Sequence, residues 1–236
     1  MILVLWDIDR TLLYTGETDR QVYRELFEEI VGRPAAKLPQ RGTGLTMPAA
    51  VRDLLRANAV EPERIEDLAE RIVQQMPARL KRHRGDLLRT GKLMPGARDA
   101  LAAVHRAPGL VPTVVTGNLR DSAEIKLAAF GLEKYLDLTI GGYASDDKHR
   151  PALVHVAQQR AGLRHGYTFT HDTTVILGDS LEDVRTGREG GARVIAVASG
   201  TTSVGELAAA GADHVIPDLT DVYVVLDLVR RRAPGS

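Results

Sequence analysis

The sequence predicts an α/β protein: a doubly wound parallel sheet whose run of strands is interrupted, after the first, by an α-helical module. Three observations predict it. Short apolar runs rich in β-branched residues recur at Ile2–Trp6, Pro112–Thr116, Thr174–Leu177 and Arg193–Val197, with His214–Ile216 as a fifth. Runs of this kind suit strands buried on both faces. Helical patterns alternate with them, as βαβ units require. Between about Gly16 and Thr90 only helical spacing is found.

Ile2–Trp6 opens the chain and stops at two acids, Asp7 and Asp9. Thr18, answered by Gln21, opens the first helix, whose apolar positions Val22, Tyr23, Leu26, Phe27, Ile30 and Val31 recur in pairs at helical intervals. A Gly/Pro-rich turn region from Gly32 to Pro48 leads to a second helix over Pro48–Ala57. A third begins near Pro62 and carries Ile65, Leu68, Ile72, Val73 and Met76, and Pro77 should kink or end it. Met94-Pro95-Gly96 marks the return to the sheet. Helices then follow over Asp121–Leu132, over Ser203–Ala210 behind a Ser203/Glu206 capping box, and over Thr220–Arg231. The expected division is residues 1–15 and 90–236 for the α/β core and 16–89 for the insert.

Composition narrows the function. The 236 residues carry 31 Lys plus Arg and 31 Asp plus Glu, so no net field favours nucleic acid or an anionic membrane. The basic run Arg79-Leu80-Lys81-Arg82-His83-Arg84 reads as a solvated helix face. There are no cysteines, which excludes disulfides and thiolate metal sites. No apolar run approaches the ~18 residues of a membrane helix, and no basic leader precedes the first strand. The default expectation is a cytoplasmic protein.

In open α/β sheets, ligands bind beyond the carboxyl ends of the strands. Three such ends here deliver chemistry. Asp7 and Asp9 follow the first strand, and strand alternation points both to the same side. Thr116, Gly117 and Asn118 end the second. Gly178, Asp179 and Ser180 end the third, with Asp183 one helical turn on. Close carboxylates repel and are best tolerated around a cation. Oxygen-only ligands suit a hard ion, Mg²⁺ above all where a phosphate shares the site. The plainer reading is that Asp179 or Asp183 caps a helix.

At these residues the chain resembles the haloacid dehalogenase-like hydrolase superfamily, over nearly its whole length. Asp7-Ile-Asp9-Arg-Thr11 looks like the family's first motif, Thr116 its second, and Gly178-Asp179-Ser180 with Asp183 its fourth. The resemblance implies a Rossmann-like core with a helical C1-type cap, and phosphoglycolate phosphatase-like chemistry. Asp7 would be the nucleophile that forms an aspartyl-phosphate, and Asp9 the general acid/base. Thr116, Gly117 and Asn118 would hold the phosphoryl oxygens. Mg²⁺ would be held by Asp7, by the backbone carbonyl of Asp9 and by Asp179, with Asp183 behind them.

The third motif, a cation before a helix, falls in Asp146-Asp147-Lys148-His149-Arg150-Pro151. Lys148 is preferred because it fits the family's K-P-x-P pattern at the first and last positions; Arg150 is the alternative. Asp9 argues for phosphoryl transfer over dehalogenation. Tyr14, Arg41, Gly42 and Thr43 are the candidates for substrate contact from the insert. A phosphosugar mutase would use the same residues. A non-catalytic phosphate-binding regulator is a third reading. Arg10, where many relatives carry Gly, has no assigned role.

Overall fold

The computed structural model describes residues 1–40 and 44–231. In chain order the elements are β1 (Ile2–Trp6), β2 (Leu13–Tyr14), α1 (Gly16–Val31), α2 (Met47–Ala57), α3 (Pro62–Arg82), α4 (Arg84–Thr90), β3 (Lys92–Leu93), α5 (Ala97–Arg106), β4 (Leu110–Thr116), α6 (Arg120–Phe130), β5 (Gly142–Tyr143), α7 (Ala152–His165), β6 (Thr174–Gly178), α8 (Leu181–Gly190), β7 (Arg193–Val197), α9 (Val204–Ala209), β8 (His214–Ile216) and α10 (Val222–Arg230). Among the described residues six strands form one parallel sheet in the order β5-β4-β1-β6-β7-β8. β1 lies between β4 and β6, with Trp6 level with Val114 on one side and Leu177 on the other. Strand order reverses at β1, so its carboxyl end opens into the crevice where such sheets bind ligands.

The strand is buried on both faces, and its alternation sorts the core. Val4 and Trp6, with Ile8 beyond the strand, join Leu101, Ala123, Leu127 and Val225 on the face covered by α5, α6 and α10. Leu3 and Leu5 join Leu153, Val154, Ala157 and Val184 on the face covered by α7 and α8. Helices α1 to α4 pack about a third apolar cluster of their own, with Phe27, Leu54, Leu68 and Ile72 at its centre. The two chain crossings between this insert and the sheet are zipped together by the short antiparallel pair β2–β3, which sequence patterning did not reveal. Two-residue strands carry no usable periodicity.

Several sequence expectations need correction. The first helix begins at Gly16, two residues before Thr18, and Thr18 is buried inside it with its hydroxyl on Thr90. Pro77 does not end the third helix, which continues to Arg82. An internal proline costs a helix about 3 kcal/mol. Ile72, Met76 and Leu80 keep one buried stripe in register across it, and that burial outweighs the cost. Nor is the basic run 79–84 simply a solvated face. Arg79 pairs with Glu25 at 3.1 Å and with Glu29, and His83 bridges Glu25 at 3.0 Å and Asp86 at 2.9 Å, tying α3 to α1.

No described helix is long and apolar enough to cross a membrane. The insert's separate cluster makes its stability testable: Phe27→Ala should destabilise the protein by about 3–5 kcal/mol, the usual cost of emptying a fully buried aromatic site, as read by urea unfolding. A loss below about 1 kcal/mol would contradict the packing described.

Candidate active site

Asp7 sits one residue beyond β1, its amide donating to the Leu177 carbonyl at 2.9 Å, so the sheet ladder itself fixes the backbone under the carboxylate. The side chain is buried. Its Oδ1 accepts from Arg150 Nη2 at 2.7 Å, and its Oδ2 lies 3.4 Å from the Thr11 hydroxyl. Thr11 also reaches Asp179 Oδ1 at 3.3 Å, bridging the ends of β1 and β6. Burial pushes the Asp7 carboxyl well above its ordinary range; Asp183 adds to the rise and the Arg150 guanidinium opposes it.

Asp179 follows β6. Burial, with the Asp183 charge, pushes its carboxyl up to about 8, against the pull of Arg150. Its Oδ2 is buried and has no hydrogen-bond partner among the described residues. It also lies against Gly200, where a Cβ would come within 1.8 Å, so a larger residue there would displace the carboxylate. Asp183 is held differently. Its Oδ2 closes a capping box on α8, accepting from the Ser180 hydroxyl at 2.6 Å and the Ser180 amide at 3.0 Å. Its Oδ1 accepts from Arg150 Nη2. Gly178 makes room for it, since a Cβ there would meet the Asp183 carboxyl carbon at 2.3 Å. The N-cap of α8 is therefore Ser180, not Asp183; Asp183 answers it from the third helical position, and the same carboxylate also faces the site.

Carboxylate oxygens of Asp7, Asp179 and Asp183 lie within 4.8 Å of one another. The Arg150 guanidinium bonds Asp7 and Asp183, and Asp179 feels Arg150 and Arg10 only through space. The donor set is entirely oxygen, buried and under-neutralised, with one orphaned oxygen on Asp179. Those are the properties that fit a hard divalent cation.

Among the described residues, Arg150 rather than Lys148 supplies the site's cation. Lys148 is exposed, whereas the Arg150 side chain is only 3% exposed. Burial alone would lower its affinity for a proton, but Asp183 and Asp7 outweigh that and raise it. Both residues precede α7, Arg150 directly before its N-cap Pro151; the pattern K-P-x-P pointed to Lys148, which is exposed. Arg150 Nη1 also donates to the Gly44 carbonyl of the insert. There the Met47 amide donates to the Gly117 carbonyl at 2.7 Å. Segment 44–47 is in this way pinned across the strand ends. Arg41, Gly42 and Thr43 lie outside the described residues.

Asp9 and Asp7 line one pocket, together with Tyr14, Thr116, Gly117 and Asn118. They are not held as a facing pair. Asp9 lies past the strand end, and its Oδ2 accepts from Asn118 Nδ2 at 2.7 Å while its Oδ1 accepts from Lys126 Nζ at 2.9 Å. Asn118 also donates from its side chain to Thr116 Oγ1 at 2.8 Å and from its backbone at 3.2 Å. With two donors on its oxygen, the Thr116 hydroxyl keeps its own proton to give. The Asn118 amide, expected to face a ligand, instead serves Thr116. Arg10 adopts φ +66°, its carbonyl accepts from Ser199 at 2.6 Å, and its guanidinium stacks 4.7 Å from the Tyr14 ring at the pocket wall. Sequence reading missed Lys126 and Asp19, the latter bonded to Lys126 at 2.9 Å. A lysine among the buried positions of α6 was the one available signal.

Comparisons with known proteins identify the family. The family model described as haloacid dehalogenase-like hydrolase matches residues 4–188. A phosphoglycolate phosphatase of Cupriavidus necator is 28% identical over 96% of this chain and 94% of its own length. A probable phosphatase, IndB, of Dickeya dadantii is 25% identical over 93% of this chain and 91% of its own. The crystal structure of a predicted phosphatase from Clostridium acetobutylicum superposes with a TM-score of 0.73 at 17% identity, covering 96% of this chain and 98% of that one, and shares the fold. With the family model spanning both acidic strand ends, Asp7 and Asp179, the chain belongs to the haloacid dehalogenase-like hydrolases.

Proposed function

We propose that this protein is a Mg²⁺-dependent phosphatase of a small phosphorylated metabolite, cleaving a phosphomonoester through an aspartyl-phosphate on Asp7. The observation that carries the reading is the buried Asp7 carboxylate at the end of β1, held by Arg150 and lining one pocket with Asp9 and Thr116.

Asp7 attacks phosphorus, and the bond from phosphorus to the leaving oxygen breaks. Asp9 gives that oxygen a proton, then takes one from the water that attacks the aspartyl-phosphate and frees Asp7. The Thr116 hydroxyl and Gly117 amide hold phosphoryl oxygens, with Asn118 orienting Thr116 and Asp9. Arg150 offsets the combined charge of nucleophile and phosphate. Asp7, Asp179 and the Asp9 carbonyl would hold Mg²⁺, with Asp183 behind them, and the ion would supply further charge neutralisation at the phosphoryl group. Residues 16–89 act as a cap over the pocket, with segment 44–47 as its nearest edge. The C. necator relative makes phosphoglycolate the first compound to assay. A phosphosugar mutase built on the same residues would isomerise its substrate without net phosphate release. We place the protein in the cytoplasm, as a monomer or homodimer.

With Mg²⁺ and a panel of phosphorylated metabolites, phosphate release is expected. Asp7→Asn is nearly isosteric but a poor nucleophile, so turnover should fall by about 10³-fold or more while the fold survives. An Asp7→Asn protein that keeps most of its activity would falsify the mechanism.

Arg150→Lys should cost about 10²-fold in kcat, the order seen when a charge-stabilising donor is displaced. Lys148→Ala should stay within about two-fold. The reverse order would restore Lys148 to the role.

Stability should also respond to pH and metal. Asp179 moves from its usual 3.8 to about 8 in the folded, metal-free chain. Between those values the folded state binds more protons than the unfolded one, so stability falls as pH rises. Asp7 acts in the same sense. Thermal melts should show a declining midpoint from about pH 4 to pH 8. MgCl₂ should raise that midpoint more at pH 8 than at pH 5, because a cation favours the ionised carboxylates. An equal rise at both pH values would count against the cluster as its binding site.

A further inference from the structure

Lys126 is fully buried, a costly place for an ammonium unless it is paired. Its position on α6 explains how it is paired. Ala123 and Leu127 of this helix face the sheet, while Ile125 and Ala129 pack against the insert's apolar cluster. Lys126 lies between the two faces, at the seam of sheet and insert. Its ammonium donates to Asp9 Oδ1 at 2.9 Å on the sheet side and to Asp19 Oδ2 at 2.9 Å on the insert side. Asp19, in the first turn of α1, is itself steadied by the Thr15 hydroxyl at 3.0 Å. Burial alone would lower the Lys126 proton affinity, but the two carboxylates reverse this and raise it, so the ammonium stays charged. Asp9 Oδ2 is taken by Asn118 at 2.7 Å, so both oxygens of this carboxylate are anchored from different elements.

We propose that Lys126 is the positioning residue for the Asp9 carboxylate and that Asp19 is its counter-anchor, so that the group which moves the proton is aimed only while α1 is seated against α6. A purely structural ion pair at this seam would have no need to end on a residue lining the pocket, yet Asp9, Asp19 and Lys126 all line it. The inference rests on the phosphatase reading above, in which Asp9 protonates the leaving oxygen.

Leaving-group dependence gives the test. An alkoxide needs a proton to depart, whereas p-nitrophenolate does not, so misaiming Asp9 penalises alkyl phosphates selectively. The measurement is kcat/KM, which reports the first, bond-breaking step, with Mg²⁺, on p-nitrophenyl phosphate and on the best alkyl phosphate of a small panel that includes phosphoglycolate. Lys126→Met keeps the volume and removes the charge. It should lower kcat/KM for the alkyl ester by about 10²-fold, the lower end of what a general acid contributes, and for the aryl ester by less than about five-fold. Asp19→Asn, which reaches Asp9 through Lys126, should shift the ratio the same way by a smaller factor, about ten-fold; it carries the test if Lys126→Met does not fold. Equal losses on both esters in folded variants, or an unchanged ratio in Asp19→Asn, would overturn the inference. A wild-type protein that releases phosphate from neither ester would instead overturn the phosphatase reading.

Discussion

Everything at the sheet's carboxyl edge depends on one electrostatic imbalance: Asp7, Asp179 and Asp183 brought together around the guanidinium of Arg150, with Arg10 adding a weaker pull on Asp179. Removing three carboxylates from water is costly, and these guanidinium charges do not offset it. The raised proton affinities of Asp7 and Asp179 are the signature of that deficit. A fold retains such a cluster when something else supplies positive charge. The surrounding structure is arranged to keep the acids close: the sheet ladder under Asp7, the Thr11 bridge, the capping box that fixes Asp183, and the glycines at 178 and 200 that let the carboxylates sit where a Cβ would block them.

The helical insert is coupled to that edge through polar contacts as well as packing. Arg150 reaches the Gly44 carbonyl, Met47 reaches the Gly117 carbonyl, and Lys126 joins Asp9 to Asp19. Each link runs from a residue that lines the pocket to the insert. A change in how the insert sits would therefore be felt by the charged groups directly. α6 carries the Lys126 link and also packs on both sides, since one of its faces belongs to the sheet core and the other to the insert's apolar cluster.

Legibility in the sequence followed the physics of each feature. β1 and β7 were readable to the residue because a strand buried on both faces leaves a continuous apolar run with polar stops. The acids at the strand ends were readable because their spacing is local. Pro77 left the end of the third helix open, with Leu80 in a continuation as one reading, because propensity is a weak prior against a buried stripe that stays in register across it. The choice between Lys148 and Arg150 was misjudged because both are cations just ahead of one helix, and only the turn into α7 decides which side chain swings under β1 and which meets solvent.

By itself the sequence determined the class of fold and which strand ends carry acids, because these rest on periodicity and short-range order along the chain. The tertiary structure alone decided which cation faces Asp7, that Asp7 and Asp9 are held by separate partners, and that Lys126 and Asp19 close a bridge between sheet and insert. These contacts join residues about a hundred positions or more apart, and no local pattern encodes them. They exist because burying a charge forces it to find an opposite one, and only the folded chain determines which one is within reach.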